Sequence, residues 1–285
     1  MAIKWNYKNS NDIFITCEQG GVPFLSFKAL EHTKMVMNGF STRLGGASKG
    51  KFATMNFSYS RKDDPSHVLE NFTRMADALE VERDRMVVSY QTHTVNVRRV
   101  TEEDEGKGVI RERDYRDVDG LITDIPGITL VTFFADCVPL YFLDPVHKAI
   151  GLSHSGWRGT VKRMGQVTVD AMKEAFGTRP EDIIACIGPS ICGDCYEVGE
   201  EVADEFADAF HEKYHDVILL KKQNGKYQLD LWKANEIVLK EAGIKGDNLA
   251  VTNICTYCNP QLLFSHRRTA ERRGNLCAFL SLKEK

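Results

Sequence analysis

The sequence lacks a long apolar run and lacks an excess of charge of either sign. No stretch approaches the roughly 18 apolar residues of a membrane-spanning helix, and Met1–Asn9 has no apolar segment typical of a signal peptide. The 37 Lys and Arg residues nearly balance the 40 Asp and Glu residues, giving a formal net charge of -3. A chain of this charge does not coat nucleic acid through bulk electrostatics. We therefore expect a cytoplasmic protein that binds neither membrane nor nucleic acid.

Low-complexity segments, internal repeats and breaks in composition are also absent, so no linker marks a domain boundary. Hydrophobic residues make up 42% of the 285 residues and charged residues 27%, which is ordinary for a globular protein. A chain of this length can bury a sizeable core. We expect a single domain over residues 1–285.

Apolar periodicity predicts helices and strands mixed along the chain. Val68, Phe72, Met75 and Leu79, for example, recur at spacings of four, three and four, which is typical of one face of a helix. The predicted helices span residues 64–79, 161–175, 202–210 and 230–242. The predicted strands span residues 85–90, 96–100, 128–134, 149–153, 183–187, 248–254 and 276–282. Because no strict β-α-β order appears, we predict an α/β fold with mixed sheets.

Three residues near the ends of predicted strands have side chains typical of metal ligands. His93 and Cys137 each follow a strand, and His154 ends another. Ligands at the ends of adjacent buried strands can meet at one rim of a sheet, and two imidazoles with one thiolate suit zinc. Three protein ligands leave a fourth position for water or substrate, as in catalytic zinc sites. Spacing alone also allows a buried packing cysteine and ordinary histidines.

Seven short segments resemble, in order, the motifs of one family. They are Phe40–Gly46, Asp119–Thr123, Ala135–Leu140, His154–Gly159, Ile187–Ile191, Tyr196–Gly199 and Phe264–Arg268. The matches run from about residue 39 to residue 279, which is nearly the whole chain. The chain resembles the laccase-domain family, also called the purine nucleoside phosphorylase or peptidoglycan editing factor family, which is unrelated to the multicopper oxidases.

This resemblance implies a single catalytic domain, built as a layered sandwich of mixed β-sheets flanked by helices. It also implies that His93, Cys137 and His154 bind zinc. Thr94 and Ser155 stand where the family usually has Gly and Ala, but neither departure removes a ligand. Copper is less favoured than zinc, because copper oxidases need further copper centres with many more histidines.

The names used for the family imply several reactions. We expect a zinc-dependent phosphorylase that splits adenosine, inosine or methylthioadenosine with phosphate into free base and a ribose 1-phosphate type product, with adenosine deamination as a possible second activity. The sequence leaves three alternative functions open. Cys137 activated by His154 would give an amidase acting on cell-wall precursors, copper would give a phenol oxidase, and a purely structural zinc would give a non-enzymatic binding module.

Further polar residues in or near these motifs are candidates for substrate contacts and catalysis. The guanidinium groups of Arg43, Arg158 and Arg267 suit phosphate, and Arg43 is also a candidate catalytic residue. Gln91 can position water, and Asp136 can shuttle a proton or, as we favour, orient a ligand histidine. Neither the preferred nucleoside nor the oligomeric state follows from the sequence.

Two C-x-x-C pairs form a rival metal site. They are Cys192/Cys195 and Cys255/Cys258. The two pairs of a structural zinc site are typically about 15 to 20 residues apart, whereas the 59 residues 196–254 separate these pairs. The spacing therefore favours ordinary packing or a redox-labile pair over a four-cysteine site.

Overall fold

The computed structural model describes residues 3–284, and these form two six-stranded sheets, one three-stranded sheet and eight α-helices. The strands are β1 (Phe14–Gln19), β2 (Val22–Phe27), β3 (Val36–Ser41), β4 (Met86–Val88), β5 (Val97–Arg99), β6 (Gly120–Thr123), β7 (Thr129–Phe134), β8 (Val138–Asp144), β9 (Ala149–Ser155), β10 (Ile184–Ile187), β11 (Glu197–Val198), β12 (Leu219–Lys221), β13 (Tyr227–Leu229), β14 (Leu249–Val251) and β15 (Leu276–Leu282). The helices are α1 (Lys28–Glu31), α2 (Pro65–Leu79), α3 (Trp157–Val161), α4 (Met164–Phe176), α5 (Glu200–Ala209), α6 (His215–Ile218), α7 (Leu231–Glu241) and α8 (His266–Thr269).

Both large sheets mix parallel and antiparallel pairs. Sheet A has the strand order β1-β2-β3-β15-β7-β4, and sheet B has the order β14-β10-β8-β9-β6-β5. The pairs β4/β7 in sheet A, and β10/β14 and β5/β6 in sheet B, are parallel, whereas the other pairs are antiparallel. The small sheet β11-β13-β12 is antiparallel throughout.

Sheets A and B face each other across one hydrophobic core. Phe40 and Leu280 of sheet A pack in the same cluster as Tyr141 and Leu152 of sheet B. The hydroxyl group of Tyr141 is satisfied by donating to the backbone oxygen of Gly39 across the interface, at 2.9 Å. Buried polar groups need such partners, so this contact fixes how the two sheets lie against each other.

Helices cover the outer face of each sheet. On sheet A, Phe72 and Met75 of α2 pack against Phe279 of β15, and on sheet B the apolar faces of α4 and α7 fill a third cluster. Strand β15 is buried along all seven residues because both of its faces are covered. This arrangement confirms the expected layered sandwich of mixed sheets flanked by helices.

Most predicted elements are present with shifted ends, but the helix predicted over 161–175 is wrong at its start. Arg163 takes a left-handed conformation with φ 61°, which separates α3 from α4. Strand β8 is among the strands that were not predicted, and Pro139 near its start is unusual in a central strand. Among the described residues, no helix has the length and apolar character needed to span a bilayer.

Two connections carry the chain from sheet A to sheet B at the same rim. One joins β4 to β5 and contains His93, and the other joins β7 to β8 and contains Cys137. His154 lies near the end of β9, paired with Pro139 at the start of β8. The three sequence-distant side chains therefore meet where the sheets are joined.

Candidate functional site

The donor atoms of His93, Cys137 and His154 lie within 4.8 Å of one another. The centroids of the two imidazole rings are 5.0 Å apart, and the ring planes are inclined by 79°. His154 is buried, Cys137 is half-buried and His93 is exposed. The cluster is thus held by the protein on one side and open to solvent on the other.

Unusual backbone conformations surround this three-donor cluster. His93 and Asp136 have φ values of 66° and 87°, in the left-handed region that costs non-glycine residues on the order of 1 kcal/mol. Gly156 has a different role, because a Cβ atom there would lie 3.1 Å from the Sγ atom of Cys137 and 3.2 Å from Cδ2 of His93. The missing side chain leaves room beside the donors.

Asp119 organises both histidines. Its Oδ1 atom lies 2.7 Å from Nδ1 of His154, and the backbone N–H groups of Thr92, His93 and Thr94 all donate to its carboxylate at 3.0–3.1 Å. With Nδ1 of His154 held by the carboxylate, Nε2 is left to face the cluster as a donor. Asp119 is fully buried, so water does not compete for these hydrogen bonds.

Charge within the cluster shifts the pKa values of its members. Burial alone would raise the pKa of Cys137, but attraction to His154, together with hydrogen bonds to His154 and His93, outweighs burial and lowers that pKa to about 6. Burial would likewise lower the pKa of His154, but Cys137 and Asp119 raise it to about 9. Burial alone would raise the pKa of Asp119, but its hydrogen bond and attraction to His154, with the N–H groups of Thr92 and Thr94, together bring that pKa below its ordinary value. Without a metal, the cluster therefore holds a thiolate beside an imidazolium ion.

A pocket of about 330 Å³ opens onto the three-donor cluster. Besides the three donors, its lining includes several basic and aromatic side chains: Arg61, Arg113, Arg273, Tyr59, Tyr90, Phe133 and Phe134. A larger cavity of about 580 Å³ lies along β1 and contains none of the three donors. The smaller pocket is the candidate substrate site, because it alone of the two combines the donors with cations and aromatic rings.

Arg273 is a buried cation without an anionic partner. Its side chain is 7% exposed, forms no ion pair within residues 3–284, and its Nε atom has no hydrogen-bond partner there. The contacts it makes are to the backbone oxygen of Gly274, at 3.2 Å, and to Asn275 and His266. Burial lowers its pKa to about 10, so the group is still charged at neutral pH. A buried cation that lines a pocket and has no carboxylate within ion-pair distance is suited to an anionic ligand.

Asp136 and Gln91 hold the backbone around the cluster. The carboxylate of Asp136 accepts from the hydroxyls of Thr256 and Ser265, at 2.6 and 3.1 Å, and from the backbone N–H of Arg267, at 2.6 Å. The carboxylate that orients His154 is Asp119, which corrects the expectation that Asp136 does so. Gln91 also lines the pocket, but its amide is paired with the backbone of Phe133 at 2.7 and 2.8 Å.

The three arginines named from the motifs have different surroundings, and none of them is among the residues lining the pocket. Arg43 donates to the backbone oxygens of Ala53 and Pro260 at 2.9–3.0 Å and lies over Phe264, so its guanidinium group joins segments of the protein, which corrects the expectation of a substrate-binding or catalytic role.

Arg267 and Arg158 are exposed. Arg267 lies over the ring of Tyr196, 4.7 Å from its centroid, and donates to the backbone oxygen of Glu197 at 2.6 Å. The guanidinium group of Arg158 lies over Trp157, and its side chain makes no hydrogen bond to any residue that the structure describes. Its donors are available to a ligand that reaches this surface.

The four cysteines of the two C-x-x-C pairs come together, contrary to what their spacing favoured. Their sulfur atoms all lie within 4.8 Å of one another. The 59 intervening residues form the small sheet and helices α5, α6 and α7, and the chain then returns through β14 beside β10. Distance along the chain was therefore a poor guide to distance in the fold.

Asp119 and Arg273 are the main residues that sequence reasoning missed. Asp119 begins one of the seven family segments, directly before a buried strand, and an acidic residue in that position could have been recognised as a partner for a ligand histidine. Arg273 has no such signal, because it follows several other basic residues and only the fold buries it.

Comparison with known proteins gives a consistent result over nearly the whole chain. A family described as multi-copper polyphenol oxidoreductase laccase matches residues 37–283. Purine nucleoside phosphorylase YlmD of Bacillus subtilis is 36% identical over 258 residues, covering 89% of this chain and 91% of that protein. Adenosine deaminase RL5, from an unknown prokaryotic organism, is 33% identical over 254 residues, covering 88% and 96%. The crystal structure of YlmD from Geobacillus stearothermophilus has a TM-score of 0.87 at 34% identity, covering 96% of this chain and 100% of that one.

Proposed function

The chain belongs to the family described as multi-copper polyphenol oxidoreductase laccase, and from this premise we propose that it is a zinc-dependent purine nucleoside phosphorylase. Its substrates would be adenosine, inosine or methylthioadenosine together with phosphate. Membership confirms the resemblance found in the seven motifs. The names of several relatives support an enzyme that acts on nucleosides.

The donor set of His93, Cys137 and His154 fits zinc. Two nitrogens and one sulfur are ligands that zinc accepts in tetrahedral geometry, and the space left by Gly156 adjoins them. A zinc ion bound there would supply Lewis-acid polarisation of a substrate oxygen or of water. Asp119 orients His154 and the His93 segment, and so would hold these donors in place for the ion.

The observation that supports phosphorolysis is the position of Arg273. This buried cation forms no ion pair within residues 3–284 and lines the same pocket as the three donors. Arg113 and Arg61 line that pocket too, so a phosphate dianion would meet several guanidinium groups. In phosphorolysis a phosphate oxygen forms a bond to C1′ of the ribose while the bond from C1′ to the base nitrogen breaks. The electron pair stays with the base, and the base gains the proton that the hydrogen phosphate dianion carried, so the products are the neutral base and the sugar phosphate dianion. Arginines that hold the phosphate against C1′ would lower the barrier through orientation and charge.

Purified protein incubated with adenosine, with and without phosphate, tests this proposal. We expect adenine and ribose 1-phosphate to form only when phosphate is present, and both to be lost in the Cys137→Ala variant. Inosine and ammonia formed without phosphate would instead indicate deamination, the activity named for the relative RL5. If none of these products exceeds the level of the Cys137→Ala control, the proposal is wrong.

A metal-independent reaction at Cys137 is the second candidate, since a thiolate beside His154 is also the arrangement of a cysteine hydrolase. Removing the metal with a chelator separates the two. We expect chelation to abolish activity and added zinc to restore it. Activity that survives chelation, with an acyl group trapped on Cys137, would favour an amidase.

A further inference from the structure

A second cluster of metal-binding side chains lies outside the pocket. Cys192 directly precedes a 3₁₀ turn after β10 and Cys195 ends it, and Cys255 and Cys258 lie in a turn after β14. Their sulfur atoms are within 4.8 Å of one another. Cys192 and Cys255 are buried, and Cys195 and Cys258 are half-buried.

We propose that these four cysteines bind a structural zinc ion, separate from the three-donor cluster. Four thiolates around zinc, with Zn–S bonds of about 2.3 Å, have sulfurs about 3.8 Å apart. The Sγ atoms of Cys195 and Cys258 lie 3.5 Å apart, and no other pair exceeds 4.8 Å, so small shifts of side chains complete the tetrahedron. All four thiols are free. Because the protein supplies four ligands, the ion would have no open position, which is typical of a structural site.

The surroundings favour the charge of such a site. Four thiolates and one zinc ion carry two negative charges together, so nearby donors and cations stabilise the cluster. The backbone N–H of Cys192 donates to the Sγ atom of Cys255 at 3.3 Å. The ammonium group of Lys8 lies 2.8 Å from Asp194, inside the first turn. The pKa of Lys8 is raised, chiefly by that hydrogen bond and further by attraction to Cys192 and Cys258.

The two turns are joined to each other and to the connection that carries Cys137. Ser190 pairs with Cys255 in a parallel bridge, and the backbone N–H of Thr256 donates to Ser190 at 3.1 Å. The backbone oxygen of Asp136 accepts from Ile191 at 3.0 Å, and its carboxylate accepts from Thr256 at 2.6 Å. A metal that clamps the two turns would therefore hold Asp136, and through it Cys137, in position.

Zinc content per chain, measured by elemental analysis on full-length protein purified with a reductant and without added metal, tests the site. The double variant Cys195→Ala/Cys258→Ala removes the two half-buried ligands and leaves the buried ones in the core. We expect it to contain about one equivalent less zinc than the parent. Cys17→Ala, which removes a half-buried cysteine in β1, is the matched control and should lose none. Equal zinc in the double variant and the parent would overturn the proposal.

A second measurement avoids substitutions altogether and therefore does not depend on the variants folding. In the parent protein, alkylation followed by peptide mass mapping should find these four cysteines protected, and adding a chelator should expose all four together. A disulfide between any two of them, seen as a loss of two hydrogens in the intact mass, would overturn the site. Iron in place of zinc would overturn the identity of the ion, since sulfur tetrads accept both metals. Neither result depends on which reaction the enzyme catalyses.

Discussion

Asp119 lies between the two histidines of the three-donor cluster and hydrogen-bonds with the segments of both. Replacing it by Asn keeps its size but removes the charge and turns one acceptor oxygen into a donor facing backbone N–H groups. We expect Asp119→Asn to weaken zinc binding at the cluster by about 10- to 100-fold, the usual effect of losing such a partner. Competition with a chromogenic chelator measures this. Asp117→Asn, an exposed neighbour that accepts from the Thr92 hydroxyl, should bind zinc as the parent does.

Arg273 offers a test of phosphate binding at a single residue. Hydrogen bonds to a charged group contribute about 1.5–3 kcal/mol, so we expect Arg273→Met to raise the KM for phosphate about 10- to 100-fold. The KM for the nucleoside should change much less. Arg272→Met removes an exposed arginine one position away and should leave both constants unchanged. An unaltered phosphate KM in a folded Arg273→Met protein would contradict the phosphate role.

The alkylation rate of Cys137 should depend on pH in an unusual way once the metal is removed. Its pKa is lowered to about 6, and a thiolate, not a thiol, reacts with alkylating agents. In the metal-free protein the alkylation rate should rise as the pH increases through about 6 and stay level above it. Cys17, whose pKa is raised by burial, should react appreciably only at alkaline pH. Peptide mapping after brief alkylation distinguishes the two cysteines, and a midpoint for Cys137 near 8.5 would contradict the ion pair.

At the scale of secondary structure, the junction between β9 and α3 decides whether the three donors have room. A Cβ atom on Gly156 would lie 3.1 Å from the sulfur of Cys137, so Gly156→Ala forces the donors to move by a few tenths of an ångström. We expect Gly156→Ala to bind zinc more weakly than the parent, with little change in the helical signal of the circular dichroism spectrum. Gly159→Ala is the matched control, because a Cβ atom on Gly159, the third residue of α3, would have no neighbouring atom closer than 3.5 Å. Equal affinities for the two variants would show that the junction does not limit the site.

At the scale of the whole molecule, metal binding should contribute to global stability, because His93 and Cys137 lie in connections that join sheet A to sheet B and His154 lies on β9 of sheet B. A ligand present at 1,000 times its Kd stabilises the native state by about 4 kcal/mol. The Tm of a domain of this size changes by about 2–4 °C for each kcal/mol of stability. Chelation should therefore lower the Tm by roughly 8–16 °C. Differential scanning fluorimetry measures this. Added zinc should restore the Tm and added magnesium should not, since magnesium prefers oxygen ligands. An unchanged Tm after complete metal removal would contradict this coupling.

Local sequence determined those elements whose signals lie within a few residues. The stripe Val68, Phe72, Met75 and Leu79 predicts α2, and its start is marked by Asp64, whose side chain accepts from the N–H of Ser66. Strand β15 was predicted with its observed ends, because a continuous apolar segment buried on both faces is distinct in composition. The three donors were named because each lies in or near a motif and next to a strand end. In each of these cases neighbouring residues carry the information.

Only the tertiary structure decided which distant residues meet. The pairing of Asp119 with His154 and the burial of Arg273 follow from how the two sheets join, and no local pattern records either contact. The four cysteines show the same limit, since their spacing argued against the cluster that the parallel pairing of β10 with β14 creates. Contacts between segments far apart in sequence depend on the packing of the whole chain, and periodicity within one segment does not contain that information.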